Sequence, residues 1–263
     1  MPPARGAGAN TGDAMKQLLI YDRPVPLDRR QHRNLRLHAM PGDFGFAAGI
    51  NSVPLAAAEF ARAACEYPIV FAGTGEDVLP AALLGLRGGE NLSVDADGRW
   101  LEGGYVPAFL RRYPFVLAEK PGAADGFTVC LDAGYPGLGE ERGDPLFTGD
   151  GGDSPLLGNA LRFLEEYQAH LQRTRAFTRR LHQLELLQPR RIRVQPAAGE
   201  AFNLDGLAVV DEARLRALKG KPLLELLRSG DLGWIHVHLM SLVNIERLSR
   251  RMDARAQPST GSH

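Results

Sequence analysis

The sequence predicts an α+β fold, and three observations predict it. Short apolar runs ending at Pro or Gly recur from Ile69 to Leu131, the pattern of strands and tight turns rather than of long helices. From Ser154 onward, apolar residues step by three and four, the period of one long amphipathic helix. A hairpin pattern and a run of apolar helical segments then close the chain.

Composition agrees. The 263 residues are 44% hydrophobic and 24% charged, with 30 Gly and 18 Pro, which excludes collagen-like, disordered and membrane-spanning classes and implies many turns. Taken in order, Ser52 is placed to cap a helix with Pro54 in its first turn, continuing through Ala56–Cys65 and stopping before Pro68. Ile69–Ala72 follows as a strand, then strands at Val78–Leu86 and Asn91–Val94, and Asp95-Ala-Asp-Gly98 turns the chain into Arg99-Trp100-Leu101. Val106 to Ala118 repeats the logic of Val53 to Ala72. Both end in Tyr-Pro followed by an apolar strand, which predicts a duplicated helix–strand element within one mixed or antiparallel sheet, with Phe127–Leu131 as a further strand.

Asp144 to Asp153 reads as a hinge. Its Asp150-Gly-Gly-Asp153 resembles half a calcium loop but lacks the D-x-D-x-D-G register and the closing Glu. Ser154-Pro155 then supplies a cap and a first-turn proline for a helix reaching Gln188, with Pro189 as its stop. Arg191–Val194 and Phe202–Val210 form a hairpin, and helices follow at Asp211–Leu218 and Pro222–Arg228. A last helix starts with Asp231 as cap and runs unbroken through Leu248. Leu232 through Ile245 is apolar on almost all sides, yet at about 14 residues too short to cross a bilayer, so a buried core helix is expected. The predicted organisation is one domain over 17–255, with a sub-boundary near 144–154, between disordered tails at 1–16 and 256–263. Met1–Ala14 has no apolar signal core, Met15 is an alternative start, and a cytoplasmic location is the default expectation.

Charge excludes some partners. Basic and acidic residues number 31 each, so no global pull toward nucleic acid or anionic lipid is expected, although residues 1–150 carry 14 basic and 19 acidic side chains and 151–263 carry 17 and 12. The basic run Arg173, Arg175, Arg179, Arg180, Arg190, Arg191 and Arg193 has no aromatic interleaving and reads as a solvated face. Cys65 and Cys130 sit in apolar surroundings without metal spacing and are expected to be buried free thiols.

Common catalytic fingerprints are absent: no G-x-G-x-x-G, P-loop, G-x-S-x-G or H-E-x-x-H occurs, and Gly85-Leu-Arg-Gly-Gly89 has no helix opening behind it to cradle phosphate. His236-Val-His238 would place both imidazoles on one face of a strand, but the apolar run continues at helical spacing, and on a helix the two point apart, so no metal is expected there. On that helix His238, Ser241 and Asn244 form a polar line, either a ligand site or a packing network. His32, within Gln31-His32-Arg33-Asn34, and Glu59 are the other candidates for a small polar ligand.

Several phrases carry a family resemblance. Phe44-Gly-Phe-Ala-Ala48, Val53-Pro54-Leu55 with Glu59-Phe60, Glu66-Tyr-Pro-Ile-Val-Phe71, Ala82-Leu-Leu-Gly-Leu86 with Glu90-Asn91, and Ala208-Val-Val-Asp-Glu212 resemble the bacterial SapC family. So do Tyr105-Val-Pro-Ala-Phe-Leu-Arg-Arg-Tyr-Pro-Phe-Val-Leu117, the most specific phrase, and the closing His238-Leu-Met-Ser-Leu-Val-Asn244. The resemblance spans Leu27 to Leu248. It implies a non-enzymatic accessory or binding protein linked to surface layers or to outer-membrane uptake through TonB-dependent receptors, with a protein or small polar ligand as partner and no cofactor. The alternative it implies is an enzyme, or an enzyme's partner, acting beside halogenase-like or cupin-like oxygenase neighbours with its site near His238. The permease label that family members often carry conflicts with the absence of any membrane span in this sequence.

Overall fold

The computed structural model describes residues 20–119 and 127–256; the expected tail at 1–16 lies outside these, as does that at 256–263 except for Ala256, which ends the last helix. The fold is α+β, with three sheets paired antiparallel throughout. The chain divides into two compact units: residues 1–40 with 112–164, and residues 41–111 with 165–263. The stretch 144–154 falls inside the first.

In the first unit, β1 (Pro24–Pro26), β7 (Phe127–Asp132) and β6 (Phe115–Glu119) make one sheet in the order β1-β7-β6. The two-residue strands β8 (Leu138–Gly139), β2 (Arg36–Leu37) and β9 (Asp144–Pro145) make another. Leu37, Phe115, Leu131, Leu146, Phe147, Leu157 and Leu164 form its core. The polar stretch before Ser154 is a closed turn in which Phe147 bridges Asp153 and the Thr148 hydroxyl donates to Asp150.

The second unit is built on a five-stranded sheet. Its order is β10 (Leu187–Val194), β11 (Phe202–Val210), β4 (Ile69–Ala72), β5 (Leu79–Leu83) and β3 (Ser52–Pro54). The predicted hairpin and the predicted meander therefore share one sheet. Strand β4 is apolar throughout because both faces are covered: Val70 joins Leu83, Ile192, Leu248 and Met252, while Phe71 meets Phe177 and His238 on the other side. Pro189, with no N–H to give a ladder, lies in β10 at the sheet edge. At the bulge where two β11 residues oppose one on β10, Gly206 takes a φ of 76°, and Arg191 pairs with Asp205 beside it.

Several expectations are corrected. Ser52–Pro54 is strand β3, not a helix start; a single 3-10 turn (Ala57–Glu59) leads into the one-turn helix α1 (Phe60–Ala63). Asn91–Val94 is a turn, whose Asn91 Oδ1 accepts from Ser93 N, and only Val94 bridges to Trp100. The duplicated element is not within one sheet: β6, which follows helix α2 (Ala108–Arg111), belongs to the first unit and β4 to the second. Helix α3 (Pro155–Gln183) starts as expected, with Ser154 Oγ accepting from Leu157 N, but it stops before Gln188 because Glu185 takes a left-handed φ of 52°. Beyond β11 come α4 (Glu212–Ala217), capped by Asp211, and α5 (Lys221–Ser229). The closing helix is two helices, α6 (Asp231–Ser241) and α7 (Asn244–Ala256), parted at Leu242-Val243. Asp231 is the first residue of α6 and Gly230, at a φ of 81°, is its cap. Cys65 is exposed and only Cys130 is buried.

Candidate functional site

His238, Ser241 and Asn244 lie one helical turn apart, at the end of α6 and the start of α7, and all are buried. What they face is the start of β4. The antiparallel register of β11 on β4 pairs Leu207 with Ala72 and Ala208 with Phe71, which sets Val210 opposite Ile69. No direct hydrogen bond closes that rung. The His238 ring stands in it instead: Val210 N–H donates to Nε2 at 3.1 Å, and Nδ1 lies 2.8 Å from Ile69 O. This arrangement fixes the neutral tautomer with the proton on Nδ1. Burial drives the imidazole down to about 4, against the partial opposing effect of the Ile69 carbonyl.

Ser241 and Asn244 extend the same attachment. Ser241 Oγ accepts from Ile69 N at 2.9 Å and donates to His238 O at 2.6 Å. Asn244 Nδ2 donates to Ala64 O at 2.7 Å and to Tyr67 O at 3.4 Å. The line thus supplies hydrogen bonds to backbone that no neighbouring strand satisfies. His236, two residues before His238, is exposed and points elsewhere.

Glu59 is buried in the same unit, away from this line. Its Oε1 accepts from the Tyr105 hydroxyl and from Ala108 N, both at 2.7 Å, and its Oε2 accepts from Ala56 N at 3.0 Å. The carboxylate ties the turn before α1 to the first residue of α2 and to Tyr105. His32 belongs to the first unit, where its Nδ1 accepts from Asp28 N at 2.9 Å and Asp28 Oδ1 accepts from Arg30 N and Gln31 N. Those backbone donors hold the Asp28 carboxyl below its usual range.

Arg173, Arg179, Arg190, Arg191 and Arg193 of the basic run are exposed, as a solvated face requires, and the run is anchored at two points. Arg173 stacks on Trp234 with 4.7 Å to the ring centre and donates to Ser229 O, while Arg180 pairs with the buried Asp231 and donates to Ser229 Oγ at 3.0 Å. Among the described residues, no group of three or more His, Cys, Asp or Glu side chains is placed to hold a metal ion, and no helix is long and apolar enough to cross a membrane.

Two features escape a reading by periodicity. Met240 and Val243, inside the run expected to be buried on almost all sides, are each 72% exposed, and α6 buries only the stripe of Asp231, Ile235, His238 and Ser241. Ser93 and Trp100 share no periodic spacing with Tyr67, and only loop packing brings them to its hydroxyl beside its sequence neighbour Glu66.

A family model described as SapC matches residues 27–248. No curated protein and no solved structure matches the chain.

Proposed function

The chain belongs to the SapC family, and from that premise we propose that it is a non-enzymatic accessory protein that works by binding a protein partner in a surface-layer or TonB-dependent outer-membrane uptake system. The observation that carries this reading is the outward apolar face at the α6–α7 break, where Met240 and Val243 are each 72% exposed; Leu224 and Leu227 on α5 are 49% and 61% exposed. Exposed apolar side chains grouped on one face mark an interaction surface, whereas single ones are ordinary. The polar residues that a catalytic reading would need support the same choice. Both nitrogens of His238 and both carboxylate oxygens of Glu59 are already engaged by backbone or by Tyr105.

The test places a benzophenone crosslinker at position 240 of the full chain, expressed in its native host, and identifies the adduct by mass spectrometry. Crosslinking to a surface-layer or receptor component, lost when Val243→Glu is added at unchanged melting temperature, is the expected result. Absence of a protein adduct, or an adduct that persists in the variant, overturns the reading.

A further inference from the structure

Between Leu232 and Val243 the chain carries no Asp, Glu, Lys or Arg. A helix without charge on any side belongs between two covers, since the outer face of a surface helix is ordinarily charged. Among the described residues, only one side of α6 is fully covered. Ile235, His238 and Ser241 are buried, and Asn244, Leu248 and Met252 carry the same inward stripe into α7. The opposite stripe is exposed and keeps its phase across the break at Leu242-Val243: Gly233, His236, Met240 and Val243, then Arg247 and Arg250.

The outer stripe steps alternately by three and four residues, the spacing at which the side chains of one helix interlock with those of another. Met240 and Val243 are the most exposed large apolar side chains among the described residues and stand as its knobs. A Cβ added at Gly233 would meet nothing within 4 Å, which leaves a gap at the other end where a facing backbone can come close. An extended strand repeats every two residues and falls out of step with such a stripe, whereas a second helix stays in register with it.

Charge narrows the occupant. The stripe is uncharged along α6 and basic where it enters α7, and Glu246, which flanks the two arginines, offsets only one of their charges. A second copy of this chain does not supply the missing acid. Laid parallel, it brings Arg247 and Arg250 against themselves, a like-charge contact. Laid antiparallel with the uncharged halves matched, it carries both arginines beyond the start of α6, where Asp231 is already paired with Arg180. The acid has to come from another protein. We propose that the partner lays an amphipathic α-helix along this stripe, its apolar residues between His236, Met240 and Val243 and its acidic residues opposite Arg247 and Arg250. The inference rests on the protein-partner reading and names the element that the partner contributes.

The experiment places a benzophenone crosslinker at position 236, 240 or 243, one at a time, in the full chain expressed in its native host, and maps each adduct to a residue by tandem mass spectrometry. The expected result is that all three positions mark one segment of one partner, at residues three or four apart, and that this segment carries Asp or Glu. Arg250→Glu, at unchanged melting temperature, should lower the crosslinking yield about ten-fold. If that variant fails to fold, the spacing of the adducts decides the matter. Adducts on another protein that step by two, scatter over several segments or fall in a segment without Asp or Glu overturn the acidic helix and leave the protein-partner reading standing, as does a yield that a folded Arg250→Glu variant leaves unchanged. Adducts on lipid or on a second copy of this chain, or no adduct at any position, overturn both.

Discussion

His238 occupies the rung of the sheet that Ile69 and Val210 would otherwise close by themselves, its Nδ1 2.8 Å from Ile69 O and its Nε2 accepting from Val210 N–H. An imidazole can do this because, when neutral, it offers one donor and one acceptor on opposite sides of a rigid ring. Protonation destroys the match, since both nitrogens then donate and Nε2 confronts the Val210 N–H.

That match makes stability depend on pH. Burial pushes His238 to about 4 from an ordinary 6.5, so between those values the unfolded chain binds a proton that the folded chain refuses. The contribution is therefore fully present above the unfolded value and is lost as pH falls toward the folded one, amounting to about 3 kcal/mol across the window. Urea unfolding at a series of pH values should show this fall in the wild type and a flatter curve in His238→Gln. Equal slopes in the two proteins would assign the titration to another group.

The fold was more legible than its joints. Ile69–Ala72, the hairpin of β10 and β11 and the start of α3 at Ser154 follow from local patterns: a short apolar run closed by turn residues, and a cap followed by proline. The end of α3 was not legible, because Glu185 in a left-handed conformation carries no sequence mark of the kind a glycine would give. Nor was the break between α6 and α7, where the apolar spacing runs on unchanged through Leu242 and Val243. The polar line of His238, Ser241 and Asn244 could be read from one-turn spacing, but its partners include backbone groups 169 to 180 residues away and, at Val210, 28 residues away, which only the tertiary fold supplies.

Asn244→Ala should destabilise the protein by about 1–3 kcal/mol, because Ala64 O and Tyr67 O lose a donor in a site that water does not readily reach. Chemical denaturation measures this directly. A variant as stable as the wild type, with weakened partner crosslinking, would move Asn244 from the framework to a binding surface.

Glu59→Gln tests a different joint. The carboxylate accepts three hydrogen bonds, and an amide can present its oxygen to one side only, leaving an N–H₂ group to face a backbone donor. A loss of about 2 kcal/mol is expected. The phenol should report it as well, since burial and the Glu59 charge together raise Tyr105 well above its ordinary range. Spectrophotometric titration of Glu59→Gln should find one tyrosine ionising at lower pH than in the wild type. An unchanged tyrosine titration with unchanged stability would show that Glu59 is not held as described.

The pairing of Arg180 with Asp231 lends itself to a double-mutant cycle. Asp231 is nearly buried, with 5% of its side chain exposed, and sits in the first turn of α6, where the helix dipole also favours its charge. Arg180 retains 35% side-chain exposure, so water already weakens the pair. Arg180→Leu should therefore cost about 2–3 kcal/mol, somewhat less than the loss of one partner from a fully buried pair, because it strands the Asp231 carboxylate. Adding Asp231→Asn removes the stranded charge while leaving an acceptor for nearby backbone, so the double variant should recover at least half of that loss. Denaturation of the wild type, both single variants and the double variant yields the coupling energy. If the two single losses simply add, the ion pair contributes nothing of its own, and the attachment of α6 to α3 rests on the stacking of Arg173 over Trp234 and on the apolar contacts of Phe177.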